Sequence, residues 1–127
     1  MNSGKDLINE FKTAYTMAPA ALAVSANHTA VDLRSTGPEF TASLILGATT
    51  GTSTFLDVKL QESDDNSAYT DISGATFAQK TAATGASLEQ ITVSNRTARY
   101  VRAVSVVAGT SPVFYSALLI QAPKASF

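Results

Sequence analysis

Short runs in which apolar and polar residues alternate dominate this chain from Thr29 onward, and they restrict it to folds built from β-strands. Leu56, Val58 and Leu60, for example, are separated from one another by single polar residues. Because successive side chains of a strand point to opposite faces, this pattern predicts a strand with one buried and one hydrated face. We expect these three residues to point into the core.

Turn signals divide this part of the chain into eight predicted strands. Residues that favour turns, chiefly Gly, Pro, Asp and Asn, lie between the runs. The predicted strands are residues 29–33, 40–48, 52–63, 69–72, 76–80, 88–94, 99–108 and 113–122. Short strands at this spacing predict an all-β fold, a sandwich or a barrel of antiparallel strands, and we take the antiparallel β-sandwich as the expected fold. We expect 52–63 and the last two strands to lie centrally, with a hairpin between the last two at residues 109–112.

Residues 1–25 follow a different pattern. Leu7, Ile8, Phe11, Ala14 and Tyr15 have the spacing of one face of a helix, and an extended stretch rich in Ala and Pro follows. We therefore predict a short N-terminal arm or helix over residues 1–25 and a β-sandwich domain over residues 26–127.

The arm carries large apolar side chains that so short a segment cannot bury by itself. They are Leu7, Ile8, Phe11, Tyr15 and Met17. Exposed groups of this kind usually dock on another surface, so we treat these five residues as candidate partner contacts. That surface could belong to a neighbouring subunit, to a larger assembly, or to the chain's own sandwich, whose open end a helix would cap.

Composition excludes several kinds of chemistry. The chain has no Cys and a single His, so disulfides, cysteine nucleophiles and cysteine metal sites are ruled out. A net charge of −1 provides no broad cationic surface for nucleic acid or anionic lipid. The N-terminus lacks the continuous apolar segment of a signal peptide or membrane span. We expect no cofactor, no metal, and neither nucleic acid nor membrane as a partner.

Two groups of side chains could carry chemistry, and each has a simpler explanation. His28 could pair with Asp32, but the Gly-x-Ser-x-Gly motif is absent, and we expect a polar surface residue at the start of the first strand. The acidic residues 62–66 and Asp71 offer oxygens for Ca²⁺, but their spacing departs from a helix-loop-helix calcium loop and favours a hairpin turn. We predict no catalytic residues, and an enzyme is the least supported class.

Arg96, Arg99 and Arg102 form the one basic cluster in the sequence. On a strand, Arg99 would point away from the other two, which splits the patch. We expect these residues to pair with a partner subunit or to protect a sheet edge, rather than to bind nucleic acid.

Two segments resemble small virion proteins of tailed phages. One is residues 56–72, in which a strand ending in Gln61-Glu62-Ser63 runs into an Asp-rich turn and an aromatic-Thr-Asp strand follows. The other is residues 99–104 together with the turn at 109–112. With the order of strands, the resemblance covers about residues 29–122. It implies a β-sandwich or jelly-roll accessory protein of the capsid decoration (cement) type.

The resemblance also implies partners and a location. The expected partners are the major capsid protein and further copies of this chain, in a trimer that matches the local symmetry of a capsid lattice. The expected location is the capsid surface of the virion, after assembly in the host cytoplasm. Two alternatives stay open: another virion component, such as a tail, head-fibre or baseplate module, or a glycan-binding attachment module that uses Tyr69, Tyr100 or Tyr115.

Overall fold

A computed structural model of the chain describes residues 11–34 and 36–123. Within these residues the fold is all-β, as predicted, and its eight strands form one antiparallel sheet consistent with a β-sandwich. The strands are β1 (Phe11–Leu22), β2 (Ala26–Asn27), β3 (Val31–Asp32), β4 (Phe40–Ser63), β5 (Thr70–Thr76), β6 (Lys80–Thr81), β7 (Ser87–Val93) and β8 (Tyr100–Pro123).

The two longest strands, β4 and β8, lie at the centre of the sheet and pair with each other along their length. β1, β2 and β3 pair with the other edge of β8, and β5, β6 and β7 pair with the other edge of β4. This confirms the central position predicted for residues 52–63 and for the two C-terminal runs. Leu56, Val58 and Leu60 are buried, which confirms the inward face predicted from their alternation.

The predicted C-terminal hairpin is wrong, because β8 continues through residues 109–112 without reversing. β4 likewise continues through residues 49–51, where the sequence favours a turn between two strands. The reason is a pair of corners. Gly51 in β4 and Gly109 in β8 have positive φ angles of 108° and 120°, and the register between the two strands shifts there. Both strands therefore bend together and stay paired.

The corners divide the sheet into two halves. Half-sheet A contains β1, β7 and residues 40–46 and 114–123 of the long strands; half-sheet B contains β2, β3, β5, β6 and residues 55–63 and 100–108. Both halves contribute to one apolar core, with Phe40 and Leu118 from half-sheet A and Leu56 and Val101 from half-sheet B, all fully buried.

Residues 11–22 form strand β1. The helical spacing is therefore misleading over residues 11–15, whereas the extended stretch predicted after it lies in the same strand. The misleading feature is a bulge: the register with β8 shifts between Tyr15 and Met17, so Ala14 and Met17, three residues apart, both face the core. A three-residue spacing of apolar residues is also typical of a helix face. The remainder of the predicted arm, with Leu7 and Ile8, lies outside the described residues.

Thr16, the bulged residue, joins β1 to half-sheet B. Its carbonyl accepts a hydrogen bond from the amide of Thr29 (3.1 Å), and its hydroxyl donates to the carbonyl of Thr29 (2.5 Å). The same hydroxyl accepts from the amide of Ala103 (2.9 Å). Because Thr16 is 2% exposed, these contacts satisfy polar groups that water could not reach.

An ion pair joins the two halves at the opposite edge. Lys80 of β6 contacts Glu89 of β7, and the Lys80 side chain is almost fully buried. The Glu89 carboxylate also accepts from the amide of Ala78 at 3.2 Å. A buried ammonium group requires such a partner, so Glu89 stabilises both the charge and the connection into β6.

We expect Gly109→Ala and Gly51→Ala to destabilise the fold by at least about 2 kcal/mol each. A Cβ at Gly109 would lie 2.7 Å from the carbonyl oxygen of Ser53, and one at Gly51 would lie 2.7 Å from that of Ser111. The measurement is the free energy of unfolding in urea. Gly37→Ala is the matched control, since nothing lies within 4 Å of its Cβ position; an equal loss there would contradict the role of the corners.

We expect Glu89→Ala to lower the free energy of unfolding by about 3 kcal/mol, because it leaves Lys80 buried without a counter-charge. The double variant Lys80→Met/Glu89→Leu should recover most of that loss, since it removes both charges. Urea unfolding of the three proteins checks this, and a double variant as unstable as Glu89→Ala would contradict it.

Candidate interaction surface

The outer face of half-sheet A carries an apolar patch that crosses four strands. In the register of the sheet, Ile45 of β4 lies between Leu88 of β7 and Ala117 of β8, and Tyr15 of β1 lies beside Leu119 of β8. We call the outward-pointing group Tyr15, Ile45, Leu88, Tyr115, Ala117 and Leu119 the apolar face.

Four large side chains of the apolar face are exposed. Leu88 and Ile45 are cross-strand neighbours, and residues 117 and 119 of β8 lie between Ile45 and Tyr15. The exposed fractions are 61% for Leu88, 51% for Tyr115, 44% for Tyr15 and 41% for Ile45. A shallow depression between β1 and β4 continues the patch and is lined by Pro19, Ala20, Ala21, Ile45, Gly47 and Tyr115. Single exposed apolar residues are ordinary on a protein surface, but a contiguous group marks a contact surface.

None of the outward positions described in these four strands carries a charge. Toward the far end of the strands the outward residues are neutral and polar: Thr13, Thr41, Ser43, Gln90, Thr92 and Gln121. The apolar face therefore has a border of neutral polar side chains on that side, similar to the rim of a protein interface, and Glu39, just before β4, lines a depression beyond it.

The outer face of half-sheet B carries a network of charged and polar side chains beside the exposed Val106. Gln61 accepts hydrogen bonds from the Arg102 guanidinium (2.9 and 3.1 Å) and donates to Asp71 (2.9 Å). Lys59 donates to the same carboxylate at 3.0 Å, and Arg102 lies 3.8 Å over the centre of the Tyr69 ring. The bonds from Gln61 and Lys59 hold the pKa of Asp71 below its ordinary value. These groups pair with one another within the chain.

The predicted partner contacts divide between surface and core. Tyr15 belongs to the apolar face, and Phe11 is exposed at the start of β1, where it lines a second depression with Gln90 and Gln121. Met17 is 2% exposed, so its side chain packs in the core and presents no contact surface. Leu7 and Ile8 lie outside the described residues.

His28 and Asp32, considered above as a possible pair, have other partners in the structure. His28 Nε2 lies 2.7 Å from Ser105 Oγ, and Asp32 makes a two-pronged contact with Arg99 (2.7 and 2.9 Å). The Arg99 guanidinium lowers the pKa of Asp32 to about 2. Ser105 is 1% exposed and cannot reach a substrate, so its contact with His28 holds the half-buried ring in place.

The acidic stretch after β4 forms a turn, as its simpler interpretation predicts. One carboxylate oxygen of Asp65 accepts from the amides of Ser67 and Ala68 and from the Ser63 hydroxyl, which keeps the pKa of Asp65 below its ordinary value. Glu62 accepts from the amides of residues 97 and 98. Among residues 11–34 and 36–123, no three His, Asp or Glu side chains converge as metal ligands would.

The three arginines are engaged inside the chain and do not form a common patch. Arg96 donates to the carbonyls of Ala98, Thr36 and Gly37 and so ties two loops together. Burial lowers the pKa of Arg96 from its ordinary value. The partners of Arg99 and Arg102 are Asp32 and Gln61, so the predicted pairing with another subunit is not needed to satisfy them.

Of the three tyrosines suggested for glycan stacking, two are covered by arginine. The rings of Tyr69 and Tyr100 lie under Arg102 and Arg99, at 3.8 and 4.8 Å. Tyr115 presents its ring to solvent as part of the apolar face.

Comparison of the chain with protein-family models and with curated proteins gives no match. In the described part of the chain, no helix is long and apolar enough to cross a membrane.

The sequence analysis missed most of the apolar face, although a signal for it exists. Leu44, Ile45 and Leu46 are consecutive apolar residues in a strand, and residues 114–120 contain a second run interrupted only by Ser116. Both faces of a strand must then be apolar. One apolar face of each strand, with Leu44 and Leu118, packs in the core, and the other face, with Ile45, lies at the surface.

We expect the free energy of unfolding to fall between about pH 7 and about pH 5, because burial lowers the pKa of His28 from 6.5. The unfolded chain then binds a proton that the folded chain binds less readily, so stability is lost as the pH falls through 6.5. Asp32 affects the free energy of unfolding in the same direction but at lower pH: its stabilising contribution is lost as the pH falls below its ordinary pKa of 3.8. Urea unfolding of His28→Gln is the control, since glutamine is polar and does not titrate; a pH response equal to that of the natural protein would contradict this assignment.

Proposed function

We propose that this chain is a structural protein of a phage virion, a capsid decoration (cement) protein that binds the capsid lattice and stabilises the shell. The proposal is supported by the resemblance of residues 56–72 and 99–112 to such proteins. It is supported further by the surface chemistry of the sandwich.

The single observation that carries the proposal is the apolar face. Its four large exposed side chains amount to on the order of 400 Å² of apolar surface, about the largest patch that a monomer usually exposes. Covering it contributes on the order of 10 kcal/mol before the costs of association are subtracted. A protein that works within an assembly can keep such a surface covered by its neighbours.

The rigidity of the scaffold suits the same role. The patch lies on paired strands that share one core, and not on loops, so docking requires little ordering of the chain. The charged outer face of half-sheet B is left to face water, which keeps an assembled particle soluble.

We expect this chain to be present in purified source particles at a copy number of the same order as the major shell protein. Quantitative mass spectrometry of the particles measures that ratio. A few copies per particle would contradict decoration and assign the chain to a tail, fibre or vertex. Complete absence would remove both virion functions, and a glycan array would then test the attachment alternative.

A further inference from the structure

We propose that the apolar face is covered by the same face of a second copy of this chain, related by a two-fold axis. The inference rests on the proposed function in one respect: both treat the apolar face as a surface covered within an assembly, and here the covering neighbour is a second copy and not the shell protein. It replaces the three-fold arrangement expected from the resemblance.

Charge favours a second copy as the occupant. In a two-fold contact the same surface meets itself, so a charged residue near the axis would face its own like charge. The outward positions described in β1, β4, β7 and β8 of half-sheet A are all uncharged, so this face can meet itself without repulsion. A partner with a charged docking surface would find no counter-charge here.

A head-to-tail contact between copies is less favourable. Such a contact would place the apolar face of one copy against a different surface of the next copy. The other broad surface available for this is the outer face of half-sheet B. The Lys59 and Asp71 side chains there are 40% and 57% exposed, and apolar cover would remove their water without adding a partner.

The shape of the apolar face also suits packing of sheet on sheet. It spans four strands, and small residues such as Gly47 and Ala117 separate the large side chains. Two faces of this kind pack about 10 Å apart, with large side chains of one copy over small residues of the other. Two patches bury roughly 800 Å² in total, below the 1,200–2,000 Å² of a standard interface, so we expect a weak, concentration-dependent dimer.

The first test measures mass in solution by sedimentation equilibrium, from about 1 to about 500 µM protein. We expect a transition from one chain to two. Ile45→Lys should raise the dissociation constant about tenfold or more, because the residue is central and is counted twice in a two-fold contact. Val106→Lys is the matched control: Val106 is 45% exposed, close to the 41% of Ile45, but lies on the outer face of half-sheet B. Circular dichroism melting verifies that both variants are folded.

The second test uses the absence of cysteine from the natural chain. Residues near a two-fold axis lie close to their own counterparts, so Ile45→Cys should form an interchain disulfide under mild oxidation and Val106→Cys should not. In that step the two thiols lose two protons and two electrons to the added oxidant, oxidised glutathione.

Three results would overturn the inference: a monomer at every concentration, a mass of three chains, or equal weakening by Ile45→Lys and Val106→Lys. Its failure is distinguishable from failure of the proposed function. A monomer that occupies particles at lattice copy number refutes only the two-fold contact, and a dimer absent from particles refutes only the virion function.

Discussion

The fold depends on two corners that fit into each other. Gly51 and Gly109 bend the central strands at the same level, and each approaches the backbone of the other corner so closely that a Cβ would collide with it. Because both strands bend together, the hydrogen-bonded pairing of β4 with β8 continues on each side of the bend, and neither strand is interrupted by a loop. One long two-stranded ribbon can thus provide the centre of both halves of the sandwich.

Folding the ribbon over itself has a consequence for the surface. Each long strand runs through both halves of the sandwich. In each half its inner face packs in the common core, and its outer face forms part of the exterior. The two exteriors differ in what the outward positions carry. In half-sheet B they carry Lys59, Gln61 and Arg102, which pair with neighbours across the strands. In half-sheet A they carry Ile45 and Tyr115, neither of which is charged, and among the described residues no side-chain hydrogen bond is made by the Tyr115 hydroxyl.

The parts of the fold that could be predicted from sequence are those that depend on local periodicity. Alternation placed Leu56, Val58 and Leu60 in the core, and the strand class followed from it. The errors arose where the local signal has two meanings. The sequence Gly-Thr-Ser-Pro at 109–112 is compatible with a hairpin turn that reverses the chain and with a bend inside one strand. Pairing with β4, which is far away in sequence, decides in favour of the bend. The spacing of Ala14 and Met17 fits a helix or a bulged strand, and the edge of β8 decides.

The apolar face was harder to predict because a buried core position and an exposed contact position are occupied by the same types of apolar residue. Ile45 stands between the buried Leu44 and Leu46, and Leu119 between the buried Leu118 and Ile120, so the sequence alone makes all of them core candidates. Which side of a strand is covered depends on which elements pack there, and among residues 11–34 and 36–123 only one side of half-sheet A is covered. Cross-strand contact between Ile45 and Leu88 also stabilises the sheet that presents them. One group of β-branched, aliphatic and aromatic residues therefore holds the strands together, and the same group forms the surface that we propose a partner covers.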